Sequence, residues 1–301
     1  MNPTNDRRSL GMLIASMLIW GTIGLFRRFI PVPSAFLAFA RGILGGLFLL
    51  IFIRLKRKRV SQPLLKRVWL GFVLIGALIG FNWMLLFEAY NHTTVAIATL
   101  CYYMQPTIVL LLSPIFFKER LTAMKAVCAA FSILGMLLIS GAIGDQDIQS
   151  GETLGVLLGL GAAGLYAAVV IMNKKLPGGD AYQRTTVQLL SAGIVMIPYL
   201  LLTDGFRGLT IDLPGVFLLL VVGILHTGIA YALYFASMNG LRVQTIAMCS
   251  YIDPVSALLI SALFLGESLS PLHIIGAVLI IGSALISQFG ENHDGETTPN
   301  G

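Results

Sequence analysis

Ten stretches of this chain each approach the length, near 20 apolar residues, that a helix needs to cross the hydrocarbon of a bilayer. They lie at roughly 10–29, 34–54, 67–90, 94–117, 122–141, 153–173, 181–203, 214–237, 243–265 and 271–289. Such a segment finds no water to satisfy its backbone, so it must close its own hydrogen bonds as a helix. With 56% hydrophobic and only 11% charged residues, the chain lacks the polar surface of a soluble globule. The connections are short and leave no room for a soluble domain. The expected fold is an all-α polytopic membrane protein of ten transmembrane helices, with polar, disordered tails at 1–9 and 290–301.

The chain also repeats itself. Leu85 to Thr122 returns at Leu233 to Ser270, displaced by 148 residues without a gap, with 13 of 38 paired positions identical. The matched residues include Phe87/Phe235, Asn91/Asn239, Cys101/Cys249, Tyr103/Tyr251, Pro106/Pro254 and Glu119/Glu267. Gln105-Pro106 pairs with Asp253-Pro254, so each copy carries a proline in mid-span. Lys118-Glu119-Arg120 becomes Gly266-Glu267-Ser268 in the second copy, which keeps the acid and loses both cations. Because cytoplasmic loops retain lysine and arginine, that loss points to opposite faces of a membrane.

The remaining cations agree. With the N-terminus inside, the inner segments hold Arg7, Arg8, Arg54, Lys56, Arg57, Lys58, Arg59, Lys66, Arg67, Lys118, Arg120, Lys125, Lys174, Lys175, Arg184 and Arg242, 16 of the 20. Arg27, Arg28 and Arg207 fall outside and Arg41 lies within a span, while the outer connection between the halves carries Asp145, Asp147 and Glu152. Five helices per half is an odd number, so the second half enters with opposite polarity. The reading is two inverted five-helix repeats, 10–141 and 153–289, with both termini cytoplasmic. The net charge of +6 belongs to this topology and to anionic lipid rather than to nucleic acid. The three cysteines, Cys101, Cys128 and Cys249, all fall in apolar spans without metal-ligand spacing, so neither metal nor other cofactor is expected. The first span has no small-residue cleavage site and ends in Arg27-Arg28, the pattern of a retained helix.

The duplicated segments, with their helix-Pro-helix pattern and their Glu-Arg-Leu-Thr and Gly-Glu-Ser-Leu-Ser turns, resemble the EamA-type repeats of the drug/metabolite transporter superfamily. Trp20-Gly21 is similar to that family's first-helix signature, Ala40-Arg41 to its second-helix arginine, and Gly276 with Gly282 to its last-helix glycines. Trp20 pairs with Tyr166 near offset 146, and Arg41 with Gln188 near 147. Cys128 departs from the pattern, since the second copy has Gly276. The resemblance implies ten helices in two inverted units and carrier-type transport of a small metabolite, without fixing the substrate.

Mid-span prolines free backbone carbonyls, and irregular backbone at membrane depth survives only against protein or a wet cavity. Pro106 and Pro254 therefore mark the expected carrier site, at the meeting of two broken helices. Polar side chains within spans are few, and each marks a pathway or a partner. Arg41 offers a forked donor for carboxylate or phosphate, unless Asp253, Glu88 or a carbonyl occupies it. Asn82, Gln105 and Gln188 could contact substrate. Asp253, His226 and Glu88 are the candidates for proton coupling. Trp20, Tyr102, Tyr103, Tyr166, Tyr231, Tyr234 and Tyr251 lie inside spans rather than at interfaces, which suits a wet cavity walled by aromatic faces or simple core packing. Glu119 and Glu267 read as turn-stabilising acids, with Ser270-Pro271 as an N-cap followed by proline. Gly42/Gly46, Gly76/Gly80 and Gly155/Gly159 read as sites of close helix approach.

These features favour a secondary carrier that exports or exchanges a small organic metabolite, an amino acid or related compound, by alternating access across the cytoplasmic membrane. Its partners would be that solute, protons as coupling ion, and the bilayer; oligomeric state stays open. A multidrug/proton antiporter is the alternative. An intramembrane enzyme is weaker, because His-Glu-x-x-His and Gly-x-Ser-x-Gly are both absent. The topology makes a direct prediction: single cysteines near either terminus resist an impermeant thiol reagent in intact cells, and one at Gln146 reacts. The reverse labelling pattern would reject the orientation.

Overall fold

A computed structural model describes residues 3–55, 66–118, 121–140, 150–176, 180–203, 205–207, 209–238, 241 and 243–296. The basic run Lys56–Arg59, the acidic connection with Asp145 and Asp147, and Glu119, Arg120, Asn239 and Arg242 lie outside the described residues. Among those described, regular structure is entirely helical. The helices are α1 (Pro3–Gly21), α2 (Ile23–Arg28), α3 (Ser34–Leu55), α4 (Lys66–His92), α5 (Val95–Tyr102), α6 (Gln105–Phe117) and α7 (Ala123–Ile139). They continue with α8 (Ser150–Lys175), α9 (Ala181–Leu202), α10 (Leu213–Leu220), α11 (Ala230–Met238), α12 (Val243–Ser250), α13 (Ile252–Phe264) and α14 (Pro271–Glu296). Between α10 and α11 runs a nine-residue π-helical segment, Val221–Ile229. α1 and α14 extend into the polar tails that composition alone reads as disordered.

Seven helical stretches are long and apolar enough to cross a membrane, and three shorter apolar helices, Ala123–Ile139, Ile252–Phe264 and Pro271–Ser287, accompany them. Large apolar side chains such as Ile51, Leu70, Ile115, Leu157, Leu202, Phe217 and Leu263 point outward. Water would reject such a surface, whereas lipid accepts it. The interior is correspondingly mixed: Ser16, Asn82, Ser132, His226, Thr227 and Ser237 are buried beside Phe72, Ile75 and Leu189. The protein is a multi-pass membrane protein.

Hydroxyl and carboxylate caps set where the helices begin. Thr94 Oγ1 accepts the Ile97 N–H at the start of α5, Thr122 does the same for Lys125 in α7, and Asp180 and Asp212 open α9 and α10. At the start of α14, Ser270 Oγ accepts the His273 N–H, as the Ser-Pro signature requires. Glu267, expected as a turn-stabilising acid, bonds within the turn through its backbone N–H, to the Ser261 carbonyl oxygen at 3.3 Å. Its carboxylate reaches α5 instead, accepting the Val95 and Ala96 N–H groups. α6 and α13 both run into a left-handed residue, Lys118 (φ 58°) and Gly266 (φ 65°), 148 positions apart. The duplicated turn thus keeps one backbone conformation although only one copy has the residue that adopts it without strain.

Glycine lets the helices come close. α3 packs on α9 where a Cβ on Gly42 would sit 2.6 Å from the Gly193 nitrogen and 2.8 Å from the Leu189 carbonyl oxygen. α4 approaches α9 in the same way at Gly76 and Gly80, and α7 meets α14 at Gly135 and Gly276. The bundle has two ends. Hydrogen bonds gather Arg28, Thr93, Val95 and Glu267 at one, and cation–π contacts join Lys174 to Phe117 and Lys175 to Phe116 at the other. Gly42→Ala should cost about 1–3 kcal/mol by forcing apart two backbones with no side chain to yield. Gly164, with nothing near its missing Cβ, should accept alanine at no cost or gain about 0.5–1 kcal/mol. Thermal unfolding of the two variants in detergent reads the difference, and equal melting temperatures would contradict it.

Candidate functional site

Both proline-bearing spans are interrupted just before the proline. The first stops at Tyr102, turns through Tyr103 and Met104, and restarts at Gln105 with Pro106 in the new first turn, where no N–H is needed. The second stops at Ser250 and restarts at Ile252, with Pro254 likewise near the start. The two breaks meet: the Tyr103 hydroxyl donates to Asp253 Oδ2 at 2.6 Å.

A cavity of about 360 Å³ opens beside this junction. α1 brings Trp20 to its wall, α3 brings Arg41, and α4 brings Trp83 and Tyr90. Tyr102, Tyr103, Gln105 and Pro106 come from the first break, and Tyr166, Tyr231 and Tyr234 from α8 and α11. The second break adds Tyr251 and Asp253. Aromatic rings pack against one another along this wall, with Trp20 5.0 Å from Tyr231 and 5.4 Å from Tyr234, and Tyr102 5.7 Å from Tyr166. Trp20 is fixed by its indole N–H, which donates to the His226 carbonyl oxygen at 2.9 Å. The Gln105 Oε1 and Tyr251 hydroxyl oxygens have no hydrogen-bond partner among the described residues.

Arg41 is the strongest feature of this wall. It is 6% exposed, and no carboxylate lies within 4.0 Å of it among the described residues. Its Nε donates to Thr227 Oγ1 at 2.8 Å, and its guanidinium carbon stands 4.1 Å over the Trp83 ring and 5.7 Å from that of Phe87. Cation–π attraction and one hydroxyl hold the cation in place without neutralising it. Thr227 is available because of the π-helix: its hydroxyl donates five residues back, to the Val222 carbonyl oxygen at 3.0 Å, and so turns its lone pairs toward Arg41.

Trp20, Arg41, Tyr102, Gln105, Tyr166, Tyr231, Asp253 and Pro106 thus converge on one space. Asn82, Gln188, His226, Glu88 and Pro254 do not line it. Asn82 is fully buried, its Nδ2 donating to the Ala162 carbonyl oxygen at 2.6 Å. His226, also fully buried, sits with Nε2 2.8 Å from the Thr22 hydroxyl and its ring edge-on to Phe26. Glu88 belongs to one end of the bundle, where its Oε2 accepts from Ser34 at 2.6 Å and from Asn91 at 3.0 Å, and its Oε1 lies 3.3 Å from His92. Gln188 donates to Asn173 Oδ1 at 2.8 Å and lines a further cavity of about 390 Å³. That second space shares Tyr166, Tyr231 and Tyr234 with the first and continues to Lys174 and Arg184. Trp83, Tyr90, Thr99 and Thr227 escaped sequence reasoning, since a single aromatic or hydroxyl residue in an apolar span carries no signal of its own.

Comparison with known proteins agrees with this geometry. The chain is 30% identical over 276 residues to the Bacillus subtilis protein named "Uncharacterized transporter YxxF", covering 91% of this chain and 87% of that one. It is 30% identical over 206 residues to a Salmonella typhimurium protein named "Probable amino-acid metabolite efflux pump", covering 64% of this chain and 67% of that one. A solved crystal structure superposes with a TM-score of 0.63 at 19% identity, over 95% of this chain and 98% of the other, which shows the shared fold. Residues 7–141 and 153–288 each match the EamA-like transporter family. With a polar, aromatic-walled cavity inside a helical membrane bundle and two matches that together span most of its length, this chain is a member of the EamA-like transporter family.

Proposed function

We propose that this transporter exports or exchanges a small organic metabolite, an amino acid or related compound, across the cytoplasmic membrane by alternating access, with ten spans in two inverted five-helix repeats and both termini inside. The observation that carries the substrate reading is Arg41, a buried cation on the cavity wall with no carboxylate within 4.0 Å among the described residues. A protein seldom keeps such a charge without compensation, and a carboxylate arriving with the substrate supplies it. Asp253 lines the same cavity and suits an ammonium group, so the two charges together favour a zwitterion. The aromatic wall accepts an apolar side chain. A relative named as an amino-acid metabolite efflux pump supports this choice.

Coupling is assigned to Asp253. Of the three acids and bases considered for proton carriage it alone faces the cavity, where holding the Tyr103 hydroxyl and taking up a proton compete at its carboxylate. His226 and Glu88 are held by neighbours away from that space. One observation favours the multidrug/proton antiporter reading, the density of aromatic faces around a single acid, which also suits an organic cation.

The two readings part at Arg41. In proteoliposomes, Arg41→Gln should raise KM for an amino acid roughly 30-fold, the equivalent of about 2 kcal/mol for a charged hydrogen bond. The corresponding amino-acid amide should be affected little. Equal losses for acid and amide would remove Arg41 from carboxylate recognition, and retained cation transport would favour the antiporter. Asp253→Asn keeps size and hydrogen bonding but cannot cycle a proton, so accumulation driven by a pH gradient should vanish while some downhill exchange persists, at a raised KM because the ammonium partner is lost. Normal gradient-driven accumulation in that variant would exclude Asp253 from coupling.

A further inference from the structure

Glu267 joins three parts of the chain that sequence keeps far apart. Its side chain is 9% exposed, and Oε1 accepts both the Val95 N–H at 3.0 Å and Arg28 Nη2 at 3.2 Å. Oε2 accepts the Ala96 N–H at 3.2 Å, and Arg28 Nη2 also donates to the Thr93 carbonyl oxygen at 2.9 Å. One carboxylate therefore ties the end of α2, the start of α5 and the connection between α13 and α14. Negative charge at the first N–H groups of a helix is favourable on electrostatic grounds, and the guanidinium completes the pairing.

What this clasp holds is the half-helix that forms the cavity wall. α5 is only eight residues, about 12 Å of rise, and while its first turn is gripped by Glu267 its far end presents Thr99, Tyr102 and Tyr103 to the cavity. Over the gripped first turn α2 lies so close that a Cβ on Gly24, a cavity-lining residue, would come 2.3 Å from Val95 Cγ1. Toward the opposite end a second space, walled in part by the same Tyr166, Tyr231 and Tyr234, runs to Arg184 and Lys174.

We infer that Glu267 is the latch of the outer gate: its carboxylate clamps α5 to α2 while the cavity communicates with the inner face, and it lets go when the cavity opens outward. The inference rests on the transporter orientation proposed above but not on the identity of the solute. Release exchanges two backbone N–H contacts and an ion pair for water.

The test reads accessibility rather than transport, so a wrong substrate assignment leaves its outcome unaffected. Cys101, Cys128 and Cys249 are replaced by alanine and Val170, on the cavity wall, by cysteine as reporter. With Glu267 intact, an impermeant thiol reagent should label the reporter in inverted vesicles and spare it in intact cells. Glu267→Ala should raise labelling from outside about tenfold, what the loss of about 1.4 kcal/mol from the closed state gives. If that variant inserts poorly, Arg28→Gln keeps the contacts to Val95 and Ala96 while removing the ion pair, and should still raise outside labelling about threefold, the effect of losing about 0.7 kcal/mol. A role confined to folding would lower protein and labelling from both sides together. Unchanged outside labelling in an inserted variant, or labelling from outside with Glu267 intact, would overturn the latch.

Discussion

A guanidinium set among membrane helices has no solvent to fall back on, and much of this bundle follows from accommodating Arg41. α3, which carries it, is pressed against the π-helical segment, where Gly45 faces Thr227, Gly223 faces Leu44 and Gly228 faces Phe48. Small residues bring the two backbones close enough for the Thr227 hydroxyl to reach the guanidinium Nε. The i to i+5 bonding of the segment frees the register that aims Thr227, and the same segment offers the His226 carbonyl oxygen that fixes Trp20. Trp83 then covers the face of the cation. One irregular stretch of nine residues thereby orients two side chains of the cavity wall, Arg41 and Trp20.

The broken spans solve a second problem in the same space. Each interruption frees backbone groups that lipid could not satisfy, and placing the two together against a polar cavity removes the cost. Tyr103 and Asp253 bridge them directly, so a movement of α5 relative to α13 is registered at the acid. Glu267 grips the other end of α5. The short helix is thus held at one end by the Glu267 carboxylate and at the other, through Tyr103, by the Asp253 carboxylate in the cavity, an arrangement through which the proposed gate and the cavity can influence each other.

Much of this was legible in the residues themselves. Hydropathy located the apolar helices, Ser270-Pro271 located the start of α14, and Pro106 and Pro254 located two interruptions, because these are local properties of the chain. Eight of the thirteen side chains singled out, among them Arg41, Asp253 and Trp20, do meet on one cavity. Polarity at membrane depth is informative about interior location for a simple reason: lipid excludes it.

Which interior location was a different matter. His226 and Asp253 are both titratable groups deep in apolar spans, yet the first is packed among Thr22 and Phe26 and the second faces the cavity. Glu88 and Glu267 both sit near one end of the bundle, yet the first accepts from the Ser34 hydroxyl of α3 and the second from the backbone N–H groups that open α5. A span that is apolar nearly all round carries little amphipathic pattern, so its rotation about its own axis is not written in its sequence. Helix packing sets that rotation through contacts such as Gly42 on Gly193 and Gly135 on Gly276. The sequence by itself determined that this chain lives in a membrane, where its helices break and which polar groups it hides there. Only the tertiary structure decided which of those groups face one another, because that depends on how neighbouring helices turn to fit.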